Sequence, residues 1–246
     1  MNTARPRPKL LDTKVLRKTE LTPDLRFIWI EKPDGFNFKA GQYCTIGRDG
    51  VERAYSIASA PHENDLELFV ELVAYPEGVL TPKLWELEPG DTLSIRPRAK
   101  GIFTMNPSHA NQILVATVTG VVPYISFIRD YLYNKKIGQH FYVLYGASYV
   151  DEFAYDKELL SIAHNNPQLL TFIPTISRPD DVRNEGWLGE TGRVNTIVEK
   201  YLGQQQLTPQ NTLVYACGHP GMISDVKTRL LPSGFLVEEE RFWKED

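Results

Sequence analysis

Apolar and polar positions change rhythm partway along the chain. In roughly the first hundred residues, apolar side chains recur at every second position in short runs, each closed by turn residues. Leu25-Arg26-Phe27-Ile28-Trp29-Ile30 partly alternates before Lys32-Pro33-Asp34-Gly35 breaks it. Gly41 to Gly47 and Arg53 to Ser59 read as strands on either side of Asp49-Gly50. Leu66 to Val73 alternates cleanly and stops at Tyr75-Pro76-Glu77-Gly78. Thr81 to Leu87 predicts a short helix, with Thr81 as N-cap and Pro82 at the first helical position. Thr92 to Arg96 is a further strand. About six short strands of this kind predict a small antiparallel β-barrel.

Past Asn106-Pro107-Ser108 the rhythm becomes that of buried strands alternating with helices. Strands are predicted at Gln112–Val118, Phe141–Gly146, Leu169–Ile176, Leu213–Ala216 and Phe235–Phe242. Helices are predicted at Pro123–Lys136, Glu152–His164, Val194–Leu202 and Pro220–Leu231. This alternation predicts a doubly wound parallel sheet with right-handed crossovers. The expected organisation is a β-barrel domain over residues 1–105 and an α/β domain over 106–246.

Composition narrows the classes. The 246 residues are 42% hydrophobic and 24% charged, ordinary for a soluble globular protein. No apolar run is long enough to span a bilayer, and the N-terminus lacks the apolar core of a secretory signal. Cys44 and Cys217 are the two cysteines, too few for a four-cysteine cluster, and the histidines lack metal-ligand spacing. A cytoplasmic protein without a metal, acting as a monomer, is expected. The net charge of −4 falls entirely after residue 103. Cations gather instead in an N-terminal arm (Arg5, Arg7, Lys9, Lys14, Arg17, Lys18) and at Arg96, Arg98 and Lys100. Without a dense basic run there is no case for nucleic acid. The two clusters read either as a solvated arm and turn or as a surface for an acidic protein.

Candidate chemistry sits in a few loops. Arg53-Ala54-Tyr55-Ser56 combines a planar cation, a flat ring and a hydroxyl, a set that suits a fused aromatic ligand bearing a pyrophosphate. Taken alone, it reads more simply as an edge strand with an exposed Arg. In a doubly wound sheet, ligands sit outside the carboxyl ends of the strands. Those ends are Thr117 to Pro123, Gly146-Ala147-Ser148, Ile176-Ser177-Arg178 and Cys217-Gly218-His219-Pro220-Gly221-Met222. The first of these carries only Gly120 and reads as a plain strand–helix turn. Arg178 and Arg193 could hold a 2′-phosphate or be solvated loop arginines. A Cys217–His219 hydrolase has no second supporting motif, so Cys217 reads as a buried or ligand-lining thiol.

Taken together and in order, Arg53-Ala54-Tyr55-Ser56, Gly78-Val79-Leu80-Thr81, Thr117–Pro123, Ser177-Arg178, Gly192-Arg193 and Cys217–Met222 resemble the bacterial-type ferredoxin–NADP⁺ reductases over nearly the full chain. The resemblance implies FAD on the barrel and NADP(H) on the α/β half, with electrons passing between NADP(H) and ferredoxin or flavodoxin. Arg53, Ala54, Tyr55, Ser56, Phe69, Val70, Glu71, Val79, Leu80, Thr81 and Thr119 would contact FAD, with Phe242 and Trp243 packing on it from the C-terminus. Ser148, Ser177, Arg178, Arg193, Cys217, Gly218, His219, Pro220, Gly221 and Met222 would contact NADP(H). Ser56 and Cys217 would flank the reacting centres. The acidic carrier would meet the basic arm with Arg96, Arg98 and Lys100. The chain departs from the family in carrying Val118 where members often have Gly, Val122 where they have a small residue, and Ser148 where they commonly have Arg. An oxygenase reductase component and a flavin-binding electron-transfer or regulatory protein with little nucleotide turnover are the alternatives.

Overall fold

The structure, a computed structural model, describes residues 10–241. Contacts divide the chain between Thr104 and Met105 into two units. In the first, β1 (Leu11–Thr22), β2 (Leu25–Glu31), β3 (Tyr43–Arg48), β4 (Val51–Ser56), β5 (Asp65–Glu71) and β6 (Thr92–Ile95) form an antiparallel sheet ordered β4-β3-β6-β1-β2-β5.

The alternation reading begins at Leu25 and so misses β1, the longest of these strands. Charged residues fill it, and only Thr13, Val15 and Thr22 are buried. Lys14, Arg17 and Lys18 therefore belong to a strand and not to a solvated arm. Lys18 pairs with Glu88 at 2.6 Å, and the Arg17 guanidinium lies 4.1 Å from the centre of the Trp29 ring. β1 pairs with β6 through Leu11–Lys14 and with β2 from Val15 onward, with register shifts at Val15/Arg17 and Glu20/Thr22. Such bulges bend a strand, so one strand serves both halves of a curled sheet. At the far edges Ala58, just past β4, donates to the Glu67 carbonyl of β5 at 2.9 Å. The curl encloses Val15, Ile28, Ile30, Ile46, Leu66, Leu68 and Ile95, each worth roughly 1.5–3 kcal/mol on burial.

Helix α1 (Thr81–Trp85) corrects the capping expectation. Leu80 holds the N-cap position, and Thr81 is already helical. The Thr81 hydroxyl instead donates to the Val73 carbonyl (2.8 Å) and accepts from the Val73 N–H (3.0 Å), fixing the loop that follows β5. At its other end α1 leaves carbonyls unpaired along the helix. Arg26, only 3% exposed, donates to two of them, Trp85 O at 2.9 Å and Leu84 O at 3.3 Å. Its guanidinium also pairs with Glu20 at 2.6 Å and lies 4.5 Å from the Trp85 ring centre.

In the second unit, β7 (Asn111–Thr117), β8 (His140–Ala147), β9 (Leu170–Ile176), β10 (Glu190–Thr191), β11 (Thr212–Gly218) and β12 (Leu236–Arg241) form a parallel sheet ordered β10-β9-β8-β7-β11-β12. The two-residue β10 is too short to show alternation in the sequence. Helices α4 (Val194–Gln204) and α5 (Pro220–Leu230) pack on one face over Ile113, Val115, Val214 and Ala216. Helix α2 (Val122–Tyr133) covers the other, with Phe127 against Tyr215 and Tyr131 against Phe141. The helix predicted from Glu152 starts later. A 3-10 turn over Val150–Glu152 precedes α3 (Asp156–Asn165), and Tyr155 sits between them at φ 61°. The Glu152 carboxylate accepts from the Ser148 and Tyr149 N–H groups, which holds the turn apart from the helix. Strand order reverses at β7, the place where such sheets open a crevice at their carboxyl ends.

Arg26 is the buried cation on which α1 depends. Replacing it with Met is expected to cost about 2–3 kcal/mol, because two carbonyls lose charged donors. Replacing Lys18 with Met, at an ion pair open to solvent, is expected to cost under about 1 kcal/mol. Chemical denaturation of both variants, followed by circular dichroism, checks the contrast.

Candidate functional site

The crevice of the second unit is built by close backbone approach. β7 and β11 run side by side with Cys217 opposite Ala116. The Thr117 hydroxyl accepts from the His219 N–H at 2.9 Å, tying the two strand ends together. There is no room for side chains around this tie. A Cβ at Gly120 would lie 2.1 Å from the Cys217 carbonyl oxygen. A Cβ at Gly218, whose φ is +125°, would lie 2.3 Å from Thr117 Oγ1. Gly120 is therefore more than the loop residue the sequence made of it. Beside it Val118 adopts φ 40°, a left-handed conformation that strains a β-branched residue. The departure noted in the sequence thus falls where the backbone favours glycine. Val122, the other departure, is 1% exposed within α2.

Past β11, His219 caps α5, its Nδ1 accepting from the Gly221 N–H at 3.0 Å. Cys217 is fully buried, and its thiol is pushed well up by burial and then by the nearby Glu240 charge. It stays protonated, so a thiolate nucleophile is not available here. Glu240, opposite Cys217 on β12, was not singled out from the sequence. Its neighbour Glu239 reaches Lys227 of α5, so Glu240 faces the opposite side of the sheet. Burial pushes its carboxyl up to about 7, and its Oε2 has no hydrogen-bond partner.

At the ends of β8 and β9, buried Asn184 binds several loops at once. Its Nδ2 donates to Ser148 O (3.0 Å) and Arg178 O (2.7 Å), and its Oδ1 accepts from the Val150 N–H (2.8 Å). A single Asn in a polar loop gives no sequence signal of such a role. Ser177 donates from its backbone to Ala147 O at 2.9 Å. Arg178 donates to the Tyr149 hydroxyl. Arg193 occupies the N-cap position of α4, two residues past the end of β10, which pairs with β9.

In the first unit, Arg53 and Ala54 are exposed, Tyr55 is half-buried and Ser56 is buried. Arg53 donates to its neighbour's carbonyl, Glu52 O, at 2.8 Å, and its charge acts on Tyr55, as expected for two residues on one face of β4. Ser56 Oγ is buried and has no hydrogen-bond partner within the chain, an uncommon state for a buried polar group. Phe69 stacks on Phe27 at 4.8 Å. Val70 and Leu80 lie in the barrel core, whereas Glu71 and Val79 are exposed. Thr119 is half-buried in the 3-10 turn after β7, within the second unit. Phe242, Trp243, Arg5, Arg7 and Lys9 lie outside the described residues. Of the basic turn, Arg98 and Lys100 are exposed, but Arg96 is held by Glu52 in a two-pronged pair at 3.0 and 3.1 Å. Among the described residues no group of three or more His, Cys, Asp or Glu is placed to hold a metal ion. No helix among them is long and apolar enough to cross a membrane.

Residues 114–228 match the family model described as an oxidoreductase NAD-binding domain. The chain is 31% identical to ferredoxin–NADP reductase B of Sorangium cellulosum, over 88% of this chain and 89% of that protein. It is 28% identical to a component of the Na⁺-translocating NADH-quinone reductase of Klebsiella pneumoniae, over 87% of this chain but only 53% of that protein. The chain thus spans about half the length of that relative. Among solved structures, a ferredoxin NADP⁺ reductase from Neisseria gonorrhoeae with bound FAD and NADP shares the fold, with a TM-score of 0.84 at 22% identity over 96% of this chain and all of that one.

Two expectations come from this geometry. Gly218→Ala should destabilise by about 2–3 kcal/mol through strain and overlap with Thr117. Val118→Gly should be within about 1 kcal/mol of neutral, because relief of left-handed strain offsets the added freedom of the unfolded chain. Thermal melts of the two variants check this. The second expectation concerns pH. The folded Glu240 carboxyl keeps its proton up to about 7, while its ordinary value is 4.5. Between these values the folded state holds a proton the unfolded chain has lost, so stability falls as pH rises through the window. Glu240→Gln should therefore gain about 1 kcal/mol at pH 8, after discounting for partial exposure, and nothing at pH 4. Denaturation midpoints at the two pH values measure it.

Proposed function

The chain belongs to the ferredoxin–NADP reductase family, and from that membership we propose that it is a cytoplasmic FAD-dependent oxidoreductase carrying electrons between NADP(H) and a one-electron protein carrier, a ferredoxin or a flavodoxin. One observation carries the flavin part of the reading: Ser56 Oγ is buried without a partner in the strand that also bears Arg53 and Tyr55. Those residues fit FAD. Arg53 would bind the pyrophosphate, Tyr55 would lie against the ring system, and Ser56 would hydrogen-bond its reactive edge. When bound, the flavin supplies the capacity to take two electrons together and release them singly.

The chain's own residues hold, orient and shield. In the second unit the Thr117–His219 tie and the bare backbone at Gly120 and Gly218 let a nucleotide lie close to the strand ends. Cys217, buried and protonated, forms an inert wall there. Arg178 and Arg193 offer planar donors to a 2′-phosphate. No side chain has to act as a strong acid or base. Exposed Arg98 and Lys100 would favour an acidic carrier, with Arg96 already neutralised by Glu52.

Purified protein should show a flavin absorption spectrum and oxidise NADPH with a dye acceptor. Ser56→Ala should lower turnover roughly tenfold or more, with flavin still bound, the effect of losing one hydrogen bond at the reacting edge. Flavin bound without NADPH turnover would overturn the reductase reading.

A further inference from the structure

Two arginines converge on one ring at the carboxyl edge of β8 and β9. Arg178 donates to the Tyr149 hydroxyl, and the Arg183 guanidinium stacks 3.7 Å from the centre of the same ring. Arg183 is also held by Asp151, at 2.6 and 3.3 Å. Asn184, 2% exposed, fixes the loops that carry all four side chains through its three hydrogen bonds. The cluster is therefore built, with its backbone pinned by a buried polar group and one guanidinium held over a ring. Such preorganisation lowers the ordering cost of binding an anion.

Resting on the reading of the second unit as a nucleotide binder, we propose that Arg183 is a specificity-determining residue for a ribose phosphomonoester, sharing it with Arg178 across Tyr149. Asp151 acts as a resident competitor. Its carboxylate takes two of the five guanidinium donors that a phosphate would use, and it places a negative charge beside the incoming dianion. The second cation at this edge thus comes from the 3-10 turn over Val182–Asn184, whereas the end of β8 supplies only Ser148. Preference for the phosphorylated nucleotide is then set by the balance between Asp151 and phosphate for one guanidinium. Arg193 stands on the same edge, and no hydrogen bond or ion pair engages its guanidinium among the described residues, so it is the natural comparator.

The test measures binding of 2′,5′-ADP and 5′-AMP by calorimetry, alongside kcat/KM for NADPH and NADH, in the flavin-loaded full chain. Arg183→Gln should cut the preference for 2′,5′-ADP over 5′-AMP roughly tenfold, the worth of one charge-assisted hydrogen bond. Asp151→Asn should raise that preference severalfold, a gain that loss of a merely structural ion pair would not produce. Unfolding midpoints identify any variant that fails to fold, and Asp151→Asn then carries the test. An unchanged preference in both variants, with Arg178→Ala or Arg193→Ala lowering it, overturns the proposal and leaves the nucleotide reading standing. Failure of the parent protein to bind either compound removes the nucleotide reading itself.

Discussion

The second unit turns on a steric constraint at the ends of β7 and β11. The two backbones meet so closely that Gly120 and Gly218 have no space for a Cβ, and Thr117 bonds the His219 N–H between them. The rest of the crevice follows from that contact. Strand order reverses at this point, so the helices that start here lie on opposite faces of the sheet and leave their first turns at one edge. Val118 is the visible cost. It takes a left-handed conformation that β-branched residues avoid, held there by the packing around it.

The first unit solves a different problem. A six-stranded sheet has edges, and this one curls until Ala58 can reach Glu67. Bulges in β1 allow the curl, and Arg26 allows α1 to end inside it. On β4, exposed Arg53 shares a face with half-buried Tyr55, while Ser56 turns to the other face and is buried without a partner.

Much of this was legible in the sequence. Alternation marked β2 and β5, flanking turn residues marked β3, β4 and β6, and the switch to buried runs located nearly all of the parallel sheet, because period and burial follow directly from side-chain geometry. β1 was hidden because its outward residues are charged and its buried ones include two threonines. Thr81 looked like a cap because Thr before Pro is a common helix start; a contact with Val73 eight residues earlier cannot be read from local pattern. The loop residues past β9 show the same limit. Arg178 follows a strand and invites attention, but Arg183 and Asn184 gain their roles from loops brought together by β8 and β9. Glu240 carries no local signal for a similar reason: nothing in Glu238-Glu239-Glu240 marks which of the three lies opposite Cys217.

The placement of the two cysteines has a use of its own. Cys44 and Cys217 are each wholly buried, one in the core of each unit, and burial holds both thiols protonated, Cys44 up to about 12. Neither can meet a thiol reagent until its own surroundings open. Each sulfur therefore acts as a clock for local opening of a single unit. Labelling rates at the two positions would resolve the stability of the barrel from that of the parallel sheet within one intact chain, with no probe introduced.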